Sequence, residues 1–239
     1  MSWEILDTGY ASALENMRID AELLDRMRPN HCPLIHFYEW DTDAATYGYF
    51  TDPKKHLNLD GVIKRGISLA RRSTGGGIIF HVWDMAFSVL VPSAHSRFSL
   101  NTLENYAFIN QAVLNAIQIA MQGSIQLSLI PHDAPSLDMQ SQHFCMAKPT
   151  KYDVLWEGKK VAGAAQRKTK NGFLHQGTIS LVMPPPDYLQ DLLLKDSQVL
   201  AAMQLHTFPL LGNHASCHEV NQAKRELKAL LVDQLRDCR

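Results

Sequence analysis

The sequence predicts an α+β fold, a mixed and largely antiparallel sheet with flanking helices. Short β-branched and aromatic runs closed by turn residues or proline share the chain with longer segments that are apolar at helical spacing. The two kinds do not alternate as regular βαβ units, which argues against a parallel, doubly wound sheet. With 46% hydrophobic and 20% charged residues over 239 positions, the chain has enough apolar surface for a substantial core.

Residues 10–28 set Ala13, Leu14, Met17, Ile19, Leu23, Leu24 and Met27 at broadly helical intervals, predicting an amphipathic helix. Leu34–Tyr38 and Ala45–Phe50 read as strands, separated by the turn formers Asp41, Thr42 and Asp43. Val62–Leu69 alternates loosely and is expected as a strand running into the glycine-rich segment at 75–77. Met85–Pro92 is the clearest strand, closed by its proline. Leu103–Met121 has no Gly or Pro, can be capped by Asn101 or Thr102, and is followed by Gly123, so it is the clearest helix. Leu127–Leu129 and Val154–Trp156 are short strands around a polar stretch, 131–152. Glu157-Gly158-Lys159 forms a turn, and Lys160–Ala165 resumes a strand. Thr178–Met183 is a further strand, closed by three prolines, and 187–204 and 219–237 are helical in pattern. The expected organisation is one catalytic-sized domain over 1–239, with 186–239 a short helical C-terminal segment and no full accessory domain.

A formal net charge of -1 leaves no basic footprint for nucleic acid, although a local basic patch can still meet an acidic protein. Cys32, Cys145, Cys217 and Cys238 are widely spaced, which suggests neither a zinc ribbon nor a disulfide framework. Glu4, Asp7, Glu15 and Asp20 interrupt the N-terminal stretch, so it does not read as a signal peptide. No apolar run reaches the roughly 18–20 residues of a membrane span. The expectation is a cytoplasmic monomer. His206, His214 and His218 are too loosely spaced to read as a metal site.

Arg71-Arg72-Ser73-Thr74-Gly75-Gly76-Gly77 leads into Ile78-Ile79-Phe80-His81. Three glycines allow positive φ and close backbone approach, and their N–H groups with the two arginines suit an anionic group. Neither the Walker nor the Rossmann spacing is present. Taken alone, the segment equally fits a hairpin turn with solvated arginines. A second segment, Gly158-Lys159-Lys160-Val161-Ala162-Gly163-Ala164-Ala165-Gln166-Arg167, couples a turn to a lysine on a strand of small residues. Such a lysine can stabilise charge developing on a carboxyl or phosphoryl group, or it can be half of a solvated hairpin pair.

Taken together, these segments resemble the lipoate–protein ligase and octanoyltransferase family. The resemblance extends to Trp3–Gly9, Asn16-Met17-Arg18-Ile19-Asp20, Tyr38-Glu39-Trp40, Tyr47–Phe50 and Leu174-His175-Gln176-Gly177-Thr178, in order over about 3–183. It implies a fold shared with biotin–protein ligases, with the glycine loop and the lysine strand lining one cleft. It further implies that Arg72, Gly75, Gly76, Gly77, Ile78, Ile79, Phe80 and His81 form the adenylate side. Lys160 would touch both acyl carbonyl and α-phosphate, and Gly163, Ala164, His175 and Gly177 would lie on the acyl side. His81 fits a packed structural role as well as a catalytic one.

Two reactions occur in that family. In the first, a ligase uses ATP and Mg²⁺ to make an acyl-adenylate. It then acylates a lysine of an apo lipoyl domain, on a 2-oxo acid dehydrogenase complex or the glycine-cleavage H protein. In the second, a transferase needs no such cofactor: it takes octanoyl from acyl carrier protein onto a cysteine and passes it to the lysine. Gly77 fits the ligase loop, where octanoyltransferases often carry arginine. Val82 departs from the ligase wording, and Cys145 precedes Lys148-Pro149-Thr150-Lys151-Tyr152-Asp153 as the transferase nucleophile does. Cys145 is therefore a candidate nucleophile, with a buried inert thiol as the alternative. The first expectation is the ATP-dependent ligase and the second the thiol octanoyltransferase. A third is a non-catalytic binder of lipoyl-adenylate or lipoyl domains.

Overall fold

The computed structural model describes residues 2–237. In chain order it holds β1 (Glu4–Ala11), α1 (Ala13–Arg26), β2 (Leu34–Trp40), β3 (Ala44–Tyr47), α2 (Leu59–Arg65), β4 (Ser68–Arg71), β5 (Ile78–His81) and β6 (Asp84–Pro92). Then come α3 (Thr102–Ala120), β7 (Leu127–Leu129), β8 (Val154–Trp156), β9 (Lys159–Thr169), β10 (Gly172–Ser180), α4 (Pro186–Leu192), α5 (Val199–His206) and α6 (Cys217–Asp237). The expected α+β architecture is present. Seven strands form one sheet in the order β1-β2-β6-β10-β9-β8-β7, and β4-β3-β5 form a smaller one. Only β1–β2 and β3–β4 are parallel; the other pairs are antiparallel.

Strand β6 shows why the core sits where it does. All nine of its residues are buried, so both faces are covered. Met85, Phe87, Val89 and Val91 pack with Ile109, Val113 and Ile117 of α3 and Leu227 and Leu231 of α6. The intervening Ala86 packs against Ala13 and Met17 of α1, and Leu90 against Leu24. The period of two thus sorts one strand between two helical layers. Ser12 caps α1 through Glu15 N, and Asn101 caps α3 through Leu103 N, as its position predicts.

Several boundaries differ from expectation. Val62 lies in a helix, not a strand: α2 ends at Gly66, whose φ of 66° closes it in the left-handed cap. Only Ser68–Arg71 of that segment is extended. Val62 packs with Leu189 and Leu192, so its apolar spacing was a helical stripe two turns long. The strand from Ala45 stops at Tyr47, because Gly48 is pressed against the glycine loop. A Cβ there would lie 1.9 Å from Gly76 O. The strand expected at Thr178–Met183 instead runs Gly172–Ser180, paired with β6 and β9 over its length. The helical pattern over 187–204 is two short helices, α4 and α5, and Trp3–Gly9 contributes most of an edge strand. Among the described residues no helix is long and apolar enough to cross a membrane. Cys238 lies outside them.

Candidate active site

A cavity of about 190 Å³ opens between the glycine loop, β5, the 142–150 loop and the small-residue strand β9. Gly76, Gly77, Ile79, His81, Cys145, Lys160, Gly163, Ala164 and Gly177 line it, and so does Arg72. Two segments of sequence some ninety positions apart therefore meet in one cleft, as the resemblance implies.

Arg72 is buried and its guanidinium is committed to protein. It donates to Thr46 Oγ1 at 2.8 Å, to Gly75 O at 3.1 Å and to Gly77 O at 2.7 Å. These bonds hold the loop's carbonyls and fix its turn, a shaping role more than a phosphate contact. Arg71 is exposed and is not part of the cleft lining. Gly76 has φ 85°, and a Cβ on it would lie 3.9 Å from Cys145 Sγ. A Cβ on Gly77 would meet His143 O at 2.2 Å, so the arginine expected of some octanoyltransferases has no room here.

Cys145 reaches the cleft because its loop docks on β5. Phe144 bridges Ile78, and Cys145 N donates to Ile78 O at 2.8 Å. Cys145 is half-buried and lines the cleft, its sulfur next to the glycine loop at Gly76. Lys160 is buried, paired with Asp153 Oδ2 at 2.7 Å, and donates to Cys145 O at 2.8 Å. Burial raises the Asp153 carboxyl, against the pull of Lys160 and of the Thr150 N–H and hydroxyl. Gly163 leaves the space this arrangement needs: a Cβ there would sit 2.2 Å from Lys160 Cε.

His81 is tightly held. Thr46 Oγ1 accepts from Arg72 and lies 2.8 Å from His81 Nε2, and His81 Nδ1 lies 2.7 Å from Asp84 Oδ2. Trp40 stacks on the ring with centroids 4.3 Å apart. Burial pushes Asp84 upward, but His81 and Thr178 together hold its carboxyl below the usual range.

Four expected residues lie elsewhere. Ile78 and Phe80 line a small neighbouring cavity of about 30 Å³ with Met146 and Met203. Gly75 contributes its carbonyl to Arg72 and is not a lining residue. His175 faces the opposite side of β10, stacked on Phe87 and against Tyr106, where burial pushes its pKa down to about 3. Its strand neighbours Gln176 and Thr178 face the cleft instead, the period of two deciding between them.

Sequence reasoning missed Asp153 as the partner of Lys160, and the buried chain behind the glycine loop. Thr74 Oγ1 donates to Gln176 Oε1 at 2.8 Å, and Gln176 Nε2 donates to Asp20 Oδ2 at 2.6 Å. Ser88 and His36 hold the same carboxylate. The block Asn16–Asp20 was the available signal, and the fold shows that it anchors the loop.

Residues 12–205 match the family model of the lipoyl protein ligase A/B catalytic domain. The octanoyltransferase LipM of Bacillus subtilis is 31% identical over 202 residues, covering 82% of this chain and 71% of that protein. The octanoyltransferases LipM of Lysinibacillus sphaericus and Staphylococcus aureus are 31% and 30% identical over 75% and 74% of this chain. This chain spans only 66% and 65% of the length of those two. Among solved structures, lipoate-protein ligase A bound with ATP superposes with a TM-score of 0.70 at 24% identity, covering 97% of this chain and 86% of that one. The bi-partite lipoate protein ligase of Thermoplasma acidophilum gives 0.69 at 23%, over 97% and 84%. These likenesses carry the fold, and the family match covers most of the chain. This protein belongs to the lipoyl protein ligase A/B catalytic-domain family.

Proposed function

We propose that the chain is an octanoyltransferase that moves an octanoyl group from a carrier-bound thioester to a lysine of an apo lipoyl domain through Cys145. The observation that carries this reading is Cys145 in the lining of the same cleft as Lys160, whose ammonium binds the Cys145 backbone carbonyl. In the first half-reaction the Cys145 sulfur attacks the thioester carbonyl. A new C–S bond forms and the carrier's C–S bond breaks, and the carrier sulfur leaves with the proton Cys145 gives up. The tetrahedral oxyanion gains a charge-assisted donor in Lys160, whose own charge Asp153 balances from behind. In the second, the acceptor lysine's neutral amine attacks, the C–N bond forms, and the amine proton returns to the Cys145 sulfur. The acyl group stays activated as a thioester throughout, so no ATP is consumed. The relatives named as octanoyltransferases support the same choice over the ligase.

The ligase reading keeps one favourable observation, the side-chain-free Gly77. The cleft suits ATP with Mg²⁺ less well. Arg72 is committed to the loop, and the nearby carboxylates Asp84 and Asp153 are engaged by His81 and Lys160. The acceptors this reading implies are lipoyl domains of 2-oxo acid dehydrogenase complexes or the glycine-cleavage H protein, in the cytoplasm.

The deciding experiment incubates the protein with an octanoyl-carrier thioester, without ATP. An intact-mass gain of one octanoyl group that disappears in Cys145→Ala and is passed to an apo lipoyl domain supports the proposal. Lipoyl-domain modification that needs ATP and survives Cys145→Ala overturns it in favour of the ligase.

A further inference from the structure

The rim of the cleft carries a feature the transfer chemistry does not use. Phe50 is 92% exposed and Tyr49 45%, with ring centroids 5.1 Å apart. The Arg71 guanidinium lies over the Tyr49 ring at 4.7 Å and that of Arg167 at 5.9 Å. Both arginines are exposed, and among the described residues neither is ion-paired with a carboxylate. The acid in the same loop, Asp52, caps Lys54 N. This group is fixed to the cleft itself. Tyr49 N donates to Thr74 O at 2.8 Å, and Thr51 Oγ1 to Gly76 O at 3.0 Å. Arg167 stands two residues beyond Ala165, whose Cβ lies 3.6 Å from where a Gly76 Cβ would be.

An exposed aromatic pair next to two unpaired guanidinium groups is the make-up of a protein-binding spot rather than of ordinary surface. Stacking on Tyr49 orders both arginines and leaves their N–H edges free for carboxylates or a phosphate. We propose that this rim is the docking surface for an acidic carrier domain that delivers the acyl thioester, an inference that rests on the transferase reading. The donor's thioester hangs from a phosphate-bearing arm on its carrier, an anion that the free N–H edges of the two arginines fit. The acceptor's lysine side chain offers them no such anion.

Binding is read on Cys145→Ala protein, which cannot take the acyl group, titrated with an octanoyl-carrier domain and separately with an apo lipoyl domain. Adding Arg71→Glu and Arg167→Glu together is expected to weaken carrier binding by about tenfold or more at low salt and to flatten its salt dependence. Phe50→Ala is expected to weaken it without changing the salt slope. With Cys145 restored, the arginine variant should acylate from a small octanoyl thioester lacking phosphate and domain within about twofold of the parent, as rim charges act on encounter. Unchanged carrier binding overturns the proposal, as does loss confined to the lipoyl domain. An equal loss for octanoyl-coenzyme A assigns the arginines to phosphate alone and also overturns docking of the domain. Failure to form acyl-enzyme from the small thioester, with carrier binding intact and arginine-dependent, would sink the transferase reading and leave the docking surface standing.

Discussion

Replacing Gly163 by alanine places a methyl carbon 2.2 Å from Lys160 Cε, 2.5 Å from its Nζ and 2.6 Å from Asp153 Oδ1. Carbon atoms pack at about 3.5–4.0 Å, so the end of the lysine must retreat by roughly 1.5 Å. The strand cannot give way easily, because Gly163 is in register with Thr178 in the middle of the seven-stranded sheet. The retreating ammonium leaves Asp153 at 2.7 Å and Cys145 O at 2.8 Å, and with them the place where the oxyanion forms. A displacement of about 1 Å in a positioned group typically costs about a hundredfold, so acyl-enzyme formation in Gly163→Ala should slow by that factor. Single-turnover acylation followed by intact mass gives the rate, and alkylation of Cys145 by a small neutral reagent reports whether the cleft remains open. Wild-type acylation in Gly163→Ala, with Lys160→Ala strongly impaired, would show instead that the lysine works from another position.

Lys160→Ala removes the oxyanion donor and should cost about 10²–10³-fold in acylation. It also strands Asp153 in the core, a loss of about 3–5 kcal/mol that denaturant unfolding will show; Lys160→Met with Asp153→Asn should recover much of the stability and none of the activity. His175 is neutral when folded, with a pKa near 3 set by burial, whereas the unfolded chain protonates it below about 6.5. The unfolded state therefore binds the extra proton as pH falls, and stability drops by about 2 kcal/mol between pH 7 and pH 5. A His175→Phe variant should lose that part of the pH dependence, and an unaltered profile would remove His175 from the account. Gly77→Ala drives its methyl into the His143 carbonyl at 2.2 Å, a backbone group that cannot rotate away. It should separate the glycine loop from the Cys145 loop, abolishing acylation and lowering the melting temperature together.

Much of the fold class was legible because β6 and α3 are long enough for one period to dominate. Met85–Pro92 and Leu103–Met121 lie close to their expected bounds. Val62–Leu69 was not legible, since a few apolar residues across a helix, a glycine cap and a short strand satisfy either spacing. The glycine loop and Lys160 announced themselves through residue type, because small residues beside a cation mark close approach of something. Their partners did not. Asp153 sits at the border of a polar stretch with no period to read, and Asp20 is one acid among several on an amphipathic helix.

The sequence carried the sheet-and-helix composition through local spacing, and the family through ordered blocks of residues. That the glycine loop and the lysine strand line one cleft came with the family resemblance, since neither segment's spacing implies the other. The tertiary structure decided that Arg72 turns inward to clamp the loop while Arg71 stays at the rim, and that Gln176 rather than His175 faces the cleft. It also decided that Cys145 stands beside Lys160. That last placement depends on Phe144 docking against Ile78, a contact across 66 positions of chain that no local pattern encodes.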